Sequence, residues 1–409
     1  MKLSLNTQIL IGAIAGILLG IGLNIAGLQS PFYGPTLYIS GILGSIFVNL
    51  LKMVLIPLVF TSIAVGIVSL RAHAQMHNVW KYTMIYFLAT PTIAVTLGLL
   101  CMNFFKPGRG LDIHLFEASL GTFDAQKMTL AEFVKRFIGE LFVNPITAMA
   151  TVNVMAVVVF ALLIGIALIR LGDRANTVVK ILEELFEVMM LMVDWIMRIA
   201  PIGIMALLIK LVAAQDVSLF TALGKFIAIV LGSTLFHGIV VLPGLLYLLT
   251  GVTPLMLFKG IREAMITAFS TSSSSATMPI TLRCVEQNLK VDRSIAGFVV
   301  PLGTTVNMDG TALYEAMAAL FIANLVGIDL HLGQQIIVAL MAILASIGAP
   351  GIPSAGMVTM IMVLQSVGLP IEAIAILLPI DRPLDAVRTM VNVEGDAVGS
   401  LIVQKFSYR

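Results

Sequence analysis

The chain has 409 residues, of which 59% are hydrophobic and only 11% are charged, and its formal net charge is +2. Soluble domains carry about 25% charged residues, so this composition excludes an ordinary soluble protein and indicates a lipid environment. The small net charge and the absence of a basic run exclude a nucleic-acid-binding surface. Two cysteines, Cys101 and Cys284, are too few for a disulfide framework, and we predict that both are free thiols.

Long stretches of the chain contain no Asp, Glu, Lys or Arg, notably 3–51, 82–105 and 226–258. A helix needs about 20 apolar residues to cross a bilayer, so each stretch can hold at least one span. Continuous apolar runs favour helices over the alternating strands of a barrel. We therefore predict an all-α polytopic membrane protein. Its first apolar segment lacks a cleavage pattern and is predicted to be a retained span.

The first half of the chain contains six apolar segments that we predict as spans. They lie at 8–28, 36–69, 80–104, 144–170, 178–212 and 217–250. Several exceed about 30 residues, which indicates tilt or an extension along the interface. A polar segment at 106–140 separates the third span from the fourth. Lys and Arg in the loops 71–81 and 170–180 predict that these loops and both termini are cytoplasmic.

The second half contains two segments in which Ser, Gly and Pro separate apolar arms too short to cross a membrane on their own. They read FSTSSSSATMPIT at 269–281 and ASIGAPGIPSAG at 345–356. Such polar tips cannot face lipid, so we predict two re-entrant helical hairpins. Apolar segments at 294–326 and 372–405 follow the hairpins, and the order hairpin, span, hairpin, span indicates an internal repeat.

Polar residues interrupt both of these later spans. The string NMDGT at 307–311 predicts a helix break at Gly310, where carbonyls and carboxylates would suit a small hard cation; an ordinary turn is the alternative. A carboxylate and two amides, Asp396 with Asn392 and Asn307, then converge from two interrupted spans, which predicts a sodium site.

Charged residues inside a membrane cost at least about 2.5–3.5 kcal/mol each, so they persist where they are paired or functional. Asp385, Arg388, Asn392 and Asp396 follow one helical face at i, i+3, i+7 and i+11. A guanidinium binds a carboxylate through two hydrogen bonds, so Arg388 suits an anionic side chain and Asp385 suits a substrate ammonium. A purely structural ion pair is the alternative.

Two further buried polar residues are candidates for proton transfer. Glu315 follows the NMDGT string, and no basic residue lies within a helical turn of it, so it is predicted to carry a proton; pairing with a basic residue is the alternative. His237 lies in the middle of a span, and we interpret it as a hydrogen-bonded residue of the helix bundle rather than a proton relay.

Four strings in order, SSSSATMPIT, NMDGTALYEA, ASIGAPGIPSAG and DAVRTMVNVEGD, resemble the glutamate transporter family, the dicarboxylate/amino acid:cation symporters. KMVLIPLVF at 52–60 and APIG at 200–203 extend the resemblance over essentially the whole chain. The resemblance implies eight transmembrane helices, two re-entrant hairpins, inverted repeats, a homotrimer and an elevator-type transport mechanism.

The resemblance also implies a division of the chain into four parts. These are scaffold helices 1 and 2 at 1–79, the third helix and an extracellular segment at 80–143, scaffold helices 4 and 5 at 144–215, and a core transport domain at 216–409 that helix 3 joins.

Matching positions of the motifs imply the site residues. Substrate is expected at Ser272, Ser274, Thr311, Ile352, Gly356, Asp385, Arg388, Thr389 and Asn392. One sodium ion is expected at Gly303, Asn307, Asn392 and Asp396, a second at Thr305, Ser346 and Ile347, and a third at Asn307, Asp309 and Thr90. Glu315 is the expected proton carrier.

The chain differs from archaeal members of the family, which have Tyr and Ser where Phe87 and Pro91 align here, and Gln in place of Glu315. Animal members have Glu at this position and the SSSSAT string, and they transport a proton together with substrate.

These observations predict a sodium-coupled symporter for glutamate or aspartate in a plasma membrane such as a bacterial inner membrane, with protons as a second candidate coupling ion. Its partners would be the acidic amino acid, Na⁺ and the lipid bilayer, and no covalent cofactor is expected. A C4-dicarboxylate or neutral amino acid symporter is the alternative within the family. An intramembrane hydrolase would need a base near the serine run, and an anion channel would need a basic ring.

Overall fold

The computed structural model describes residues 5–27, 29–69, 77–111, 138–139, 142–151, 153–214, 217–348 and 355–407. Helices make up nearly all of this part of the chain, and no strand occurs in it, so the all-α prediction is confirmed there. Most of the polar segment 106–140 and the predicted tip of the second hairpin, 349–354, lie outside the described residues.

Each of the six predicted spans of the first half contains one or two helices. The helices are α1 Leu5–Ala26, α2 Tyr33–Ser69, α3 His77–Phe105, α4 Pro145–Ala150, α5 Val154–Leu171, α6 Asn176–Ala214, α7 Val217–Phe236 and α8 Leu242–Thr250. The fourth span contains α4 and α5, and the sixth contains α7 and α8. A wide π turn, His237–Val241, joins α7 to α8, so they continue as one rod.

Five segments among the described residues are long and apolar enough to cross a membrane. They are Thr7–Ala26, Tyr33–Val68, Asn78–Phe105, Val159–Lys210 and Leu219–Thr250. Their outer faces expose large apolar side chains such as Ile11, Leu18 and Leu248. A multi-pass membrane protein is therefore confirmed, whereas the count of eight transmembrane helices stays a prediction.

The second half folds into seven further helices. They are α9 Pro254–Thr271, α10 Ser274–Arg283, α11 Arg293–Val306, α12 Asp309–Leu325, α13 Leu332–Gly348, α14 Ala355–Ser366 and α15 Ile374–Ser407. Helix α9 packs against α10, and α13 packs against α14, as expected for two helical hairpins.

The tip of the first hairpin is a two-residue turn. Ser272 ends α9 in the left-handed region with φ 50° and ψ 34°, and Ser273 is extended. The Ser273 hydroxyl oxygen accepts a hydrogen bond from the Ala276 backbone nitrogen at 3.1 Å, which caps α10. The polar run therefore supplies both the reversal of the chain and the start of the next helix.

The interruption in the next span lies two residues before the predicted position. The chain leaves the helix at Asn307 and Met308 and resumes at Asp309, so Gly310 is helical and the prediction of a break at Gly310 is wrong. A Cβ atom on Gly310 would lie 2.7 Å from the backbone oxygen of Arg388. Glycine is needed here because α12 approaches α15 closely, not because the helix ends.

The second predicted interruption is also wrong. Helix α15 runs from Ile374 to Ser407 without a break, despite its six charged residues between positions 381 and 396. Helix α15 contacts α3, α7, α8, α9, α11 and α12, and its Asn392 and Asp396 side chains hydrogen-bond residues of the neighbouring span.

Helix α12 lies at the centre of this second group. Every residue of α12 except Asn324 is buried. It contacts α3 and α15 most extensively. A second set of contacts joins α1, α2, α5 and α6, with α6 packed along both α1 and α2. The domain boundaries stay predictions.

Close contact between α1 and α6 depends on glycines of α1. Cβ atoms on Gly12, Gly16 and Gly20 would lie 2.4 Å from Pro201 O, 2.6 Å from Met205 O and 2.6 Å from Val212 Cβ. Small residues let helix backbones approach each other in a membrane, where dispersion contacts replace the hydrophobic effect. Gly22 of the same helix has no neighbour within 4 Å of such an atom.

We predict that Gly16→Val destabilises the protein, because the added methyl groups would overlap the α6 backbone. Overpacking of this kind costs about 1–3 kcal/mol. The temperature of thermal unfolding in detergent should fall by several degrees. Gly22→Val is the matched control and should change this temperature little; equal losses in the two variants would show that α1 and α6 are not packed in this way.

Candidate functional site

A buried arginine on α15 organises one end of the site. Arg388 is 1% exposed, and its Nη2 donates hydrogen bonds to Asp381 Oδ1 at 2.6 Å and Asp385 Oδ1 at 3.0 Å. Its guanidinium carbon lies 3.9 Å from the centre of the Tyr314 ring, in cation–π contact. The predicted pair of Asp385 and Arg388 is thus a triad that includes Asp381, one turn earlier.

The guanidinium of Arg388 has hydrogen-bonding capacity left over. Its Nε and Nη1 are buried and have no hydrogen-bond partner among the residues that the structure describes. Buried donors without partners are costly, and a planar guanidinium can bind a carboxylate through two parallel hydrogen bonds. Arg388 can therefore accept a carboxylate in addition to its two protein partners.

Residues from three helices converge beside Arg388. A Cβ atom on Gly356 of α14 would lie 3.1 Å from Thr311 Cγ2, 3.8 Å from Arg388 Nη1 and 3.8 Å from Glu315 Oε1. The structure thus brings together four of the predicted substrate and proton residues. Ile352, also predicted to contact substrate, lies outside the described residues.

The remaining predicted substrate residues are buried in the same core. Ser272 and Ser274 lie at the tip of the first hairpin, with 3% and 4% of their surface exposed, and α10 packs against α15. The Thr389 hydroxyl donates a hydrogen bond to the Asp385 backbone oxygen at 2.7 Å.

Asn392 ties α15 to the first turn of α12. Its Oδ1 accepts a hydrogen bond from the Gly310 backbone nitrogen at 2.8 Å, and its Nδ2 donates to Thr311 Oγ1 at 3.1 Å. A backbone donor at the start of a helix has no partner within the helix, so this contact satisfies it. Asn392 therefore joins α15 to the start of α12 through two hydrogen bonds.

A second polar cluster surrounds the break at Asn307. The Thr90 hydroxyl lies 3.2 Å from Asn307 Oδ1 and 3.1 Å from Asp309 Oδ1. Asn307 Nδ2 lies 3.3 Å from Asp396 Oδ1, and His237 Nε2 lies 2.9 Å from Asp309 Oδ2. All five side chains are at most 1% exposed.

Two glycines let this cluster close. A Cβ atom on Gly303 would lie 2.1 Å from Asp396 Oδ1, and one on Gly395 would lie 2.8 Å from Asn307 Nδ2. The Tyr86 hydroxyl donates a hydrogen bond to the Gly395 backbone oxygen at 3.0 Å. Helices α11 and α15 are therefore in contact at the level of Asp396.

The chemistry of the cluster fits a small hard cation. Among the described residues, no Lys or Arg is within ion-pair distance of Asp309 or Asp396, and His237 is the one basic partner of Asp309. Buried carboxylates need compensation, and oxygen ligands of carboxylate, amide and hydroxyl type suit hard cations. No group of three or more His, Cys, Asp or Glu side chains suited to a metal occurs in the described ranges.

The residues expected to bind a second sodium ion lie on α11 and α13, which contact each other. Thr305 donates a hydrogen bond to the Leu302 backbone oxygen at 3.2 Å, and Ser346 donates to the Ile343 backbone oxygen at 2.8 Å. Ile347 is half-buried at the end of the same helix. Both hydroxyl groups therefore keep their oxygen lone pairs for another ligand.

Glu315 is fully buried next to the arginine. The Thr359 hydroxyl donates a hydrogen bond to its Oε1, and its Oε2 has no hydrogen-bond partner. Sequence reasoning found no basic residue near Glu315 along the helix; the structure brings Arg388 near it from α15, without an ion pair.

Comparisons with known proteins match almost the entire chain. The sodium:dicarboxylate symporter family profile matches residues 5–406. The chain belongs to the sodium:dicarboxylate symporter family.

Relatives of this symporter include mouse excitatory amino acid transporter 3, which is 34% identical over 98% of this chain and 86% of the relative. The putative sodium-dependent excitatory amino acid transporter glt-4 of Caenorhabditis elegans is 33% identical over 99% of this chain and 90% of the relative. Human excitatory amino acid transporter 2 is 33% identical over 98% of this chain and 77% of the relative.

Family membership confirms two predictions from the motifs. The resemblance was correct, and the chain is a transporter and not an enzyme, so the serine run has no hydrolytic role. The prediction of free thiols is also confirmed, with Cys101 half-buried and Cys284 buried.

Sequence reasoning missed two residues of the symporter core, Asp381 and Glu394, and the partner of a third, His237. Asp381 lies four residues before Asp385 on the charged face, so its spacing could have identified it. Glu394 is 1% exposed, with an Oε1 that has no hydrogen-bond partner, and it lies off that face. His237 is hydrogen-bonded in the bundle as predicted, but its partner Asp309 could not be found from spacing.

Proposed function

We propose that this symporter imports glutamate or aspartate together with sodium ions and a proton. The observation that carries the proposal is the buried guanidinium of Arg388, held by two carboxylates and left with two donors unpaired. A substrate with one ammonium group and an additional carboxylate fits this arrangement. Its side-chain carboxylate would bind Arg388, and its ammonium group would bind Asp385.

Alternatives within the family make different use of these charges. A C4-dicarboxylate would use Arg388 but would leave Asp385 without an ammonium group to bind. A neutral amino acid would leave the free donors of Arg388 without a carboxylate. Because buried donors without partners are unfavourable, a neutral amino acid fits Arg388 less well than an acidic one. A C4-dicarboxylate would make no use of Asp385 for an ammonium group.

We propose that sodium ions bind at the break near Asn307. Asp396 with Asn392, Asn307 and Gly303 would form one site, and Asp309 with Asn307 and Thr90 another. Thr305, Ser346 and Ile347 would contribute to a third. The absence of Lys and Arg partners for Asp309 and Asp396 among the described residues supports this proposal.

Glu315 is the proposed proton carrier. One of its oxygens is buried without a hydrogen-bond partner, and protonation removes the charge that would otherwise be desolvated there. Thr359 hydrogen-bonds the other oxygen. Protonated Glu315 is neutral, so it would add no charge to those of Arg388, Asp381 and Asp385.

The remaining proposals concern assembly and movement. We propose that the protein is a homotrimer in a plasma membrane, with cytoplasmic termini, and that residues 216–409 with helix 3 slide past scaffold helices 1, 2, 4 and 5. The separate packing of α1, α2, α5 and α6 supports a scaffold distinct from the core around α15.

Purified protein in liposomes tests the function. Gradients of Na⁺, H⁺ and K⁺ are imposed one at a time. The Na⁺ gradient and the H⁺ gradient should each drive accumulation of labelled aspartate or glutamate. Accumulation of succinate or serine in preference to both acidic amino acids would refute the proposal.

We predict that Asp396→Asn raises the sodium concentration needed for half-maximal uptake severalfold, because a carboxylate ligand is replaced by a neutral amide. Uptake should be measured over a series of sodium concentrations. Asp329→Asn is the control, since Asp329 is exposed and pairs with Arg109. Unchanged sodium dependence in Asp396→Asn would remove Asp396 from the site.

We predict that Glu315→Gln makes uptake nearly independent of pH between about 5 and 9, because neutral Gln imitates the protonated acid. Proton movement that accompanies substrate should disappear with it. Glu394→Gln removes another buried carboxyl group and should keep the pH dependence. If Glu394→Gln lost the pH dependence and Glu315→Gln kept it, the proton carrier would be Glu394.

We predict that Arg388→Cys lowers the affinity for aspartate and glutamate by a hundredfold or more and improves binding of serine. Removing one partner of a buried charge pair costs about 3–5 kcal/mol, and serine brings no second carboxylate. Labelled uptake of aspartate and serine, normalised to folded protein, provides the measurement. Loss of both aspartate and serine uptake would instead indicate a structural ion pair.

A further inference from the structure

Arg382 is a charged residue of α15 that has no part in the proposed substrate and ion sites. It follows Asp381 directly and is half-buried. Within the described part of the chain, its Nε and Nη1 are buried and have no hydrogen-bond partner, and the same is true of Asp381 Oδ2. Two neighbouring residues of opposite charge therefore both have unused hydrogen-bonding atoms in the protein interior.

Asp381 and Arg382 line one cavity. Its other walls are apolar and come from both groups of helices, with Ile9 of α1, Phe47 of α2 and Ile204 of α6 facing Met357 of α14. Apolar walls cannot satisfy a guanidinium or a carboxylate. Within this cavity, the two residues are the only charged groups available to each other.

A count of charges shows why this matters for an acidic substrate. Arg388 is one cation that pairs with two carboxylates, Asp381 and Asp385, in the structure. When the substrate ammonium binds Asp385 and the side-chain carboxylate of the substrate binds the free Nε and Nη1 of Arg388, that carboxylate and Asp381 share one guanidinium. Buried carboxylates that share a single counter-charge are poorly compensated, so a second cation beside Asp381 would stabilise the complex.

We infer that Asp381 exchanges Arg388 for Arg382 when an acidic substrate binds. Arg382 is then a positioning residue: it pairs with Asp381, so that the positive charge of Arg388 is left to the substrate carboxylate. With this exchange, Arg382 pairs with Asp381, the substrate ammonium pairs with Asp385, and Arg388 pairs with the side-chain carboxylate of the substrate; the α-carboxylate of the substrate is outside this count. The inference rests on the proposed function and adds a specificity residue to the same site.

Binding of aspartate and glutamate to detergent-purified protein, measured by calorimetry, tests the exchange in a double-mutant cycle. Arg382→Gln should weaken binding about tenfold or more, whereas Arg382→Lys, which keeps the charge, should stay within about threefold of the parent. In the Asp381→Asn background, Arg382→Gln should change affinity less than about twofold, because a neutral amide needs no counter-charge.

The outcomes separate this inference from the proposed function. A parent protein that binds no acidic amino acid overturns the proposed function and this inference with it. A parent that binds, while Arg382→Gln weakens binding equally with and without Asp381→Asn, overturns the inference alone. So does a folded Arg382→Gln variant with unchanged affinity. Unfolding temperatures of the variants without substrate provide the check on folding.

Discussion

The pairing of Arg388 with Asp381 and Asp385 is the interaction on which the core depends. A guanidinium that is 1% exposed is tolerated inside a membrane protein only with counter-charges at hydrogen-bonding distance. Its two partners come from its own helix, so the triad is stable only while α15 stays regular. This requirement accounts for the uninterrupted course of a helix with so many charges.

The core separates two kinds of chemistry along α15. The end near Arg388 has guanidinium donors that lack hydrogen-bond partners among the described residues, which suits an anionic group. The end near Asp396 has carboxylates without Lys or Arg partners among the described residues, which suits cations. Asn392 lies between the two ends and hydrogen-bonds both Gly310 and Thr311, so it joins the two regions of α15 to the first turn of α12.

Much of this arrangement could be predicted from the sequence, because helical spacing places Asp385, Arg388, Asn392 and Asp396 on one face, and polar tips inside apolar arms indicate hairpins. Helical spacing shows only which residues of one helix share a face. The contacts of His237 with Asp309 and of Thr359 with Glu315 join different helices, so no local pattern could reveal them. The position of the break was wrong for a related reason: Gly310 was interpreted as a helix breaker, whereas its role is set by Arg388 on another helix.

Helix α12 has almost no surface that could meet lipid, and this affects how such a protein is recognised in a genome. A helix surrounded by other helices does not need an apolar exterior, so it can carry Asp309, Thr311 and Glu315 without exposing them. Methods that find spans by apolarity overlook helices such as α12 and α15, which carry most of the buried charges, since neither is among the five apolar segments found here. An undercount by an odd number also assigns the carboxyl terminus to the wrong side of the membrane.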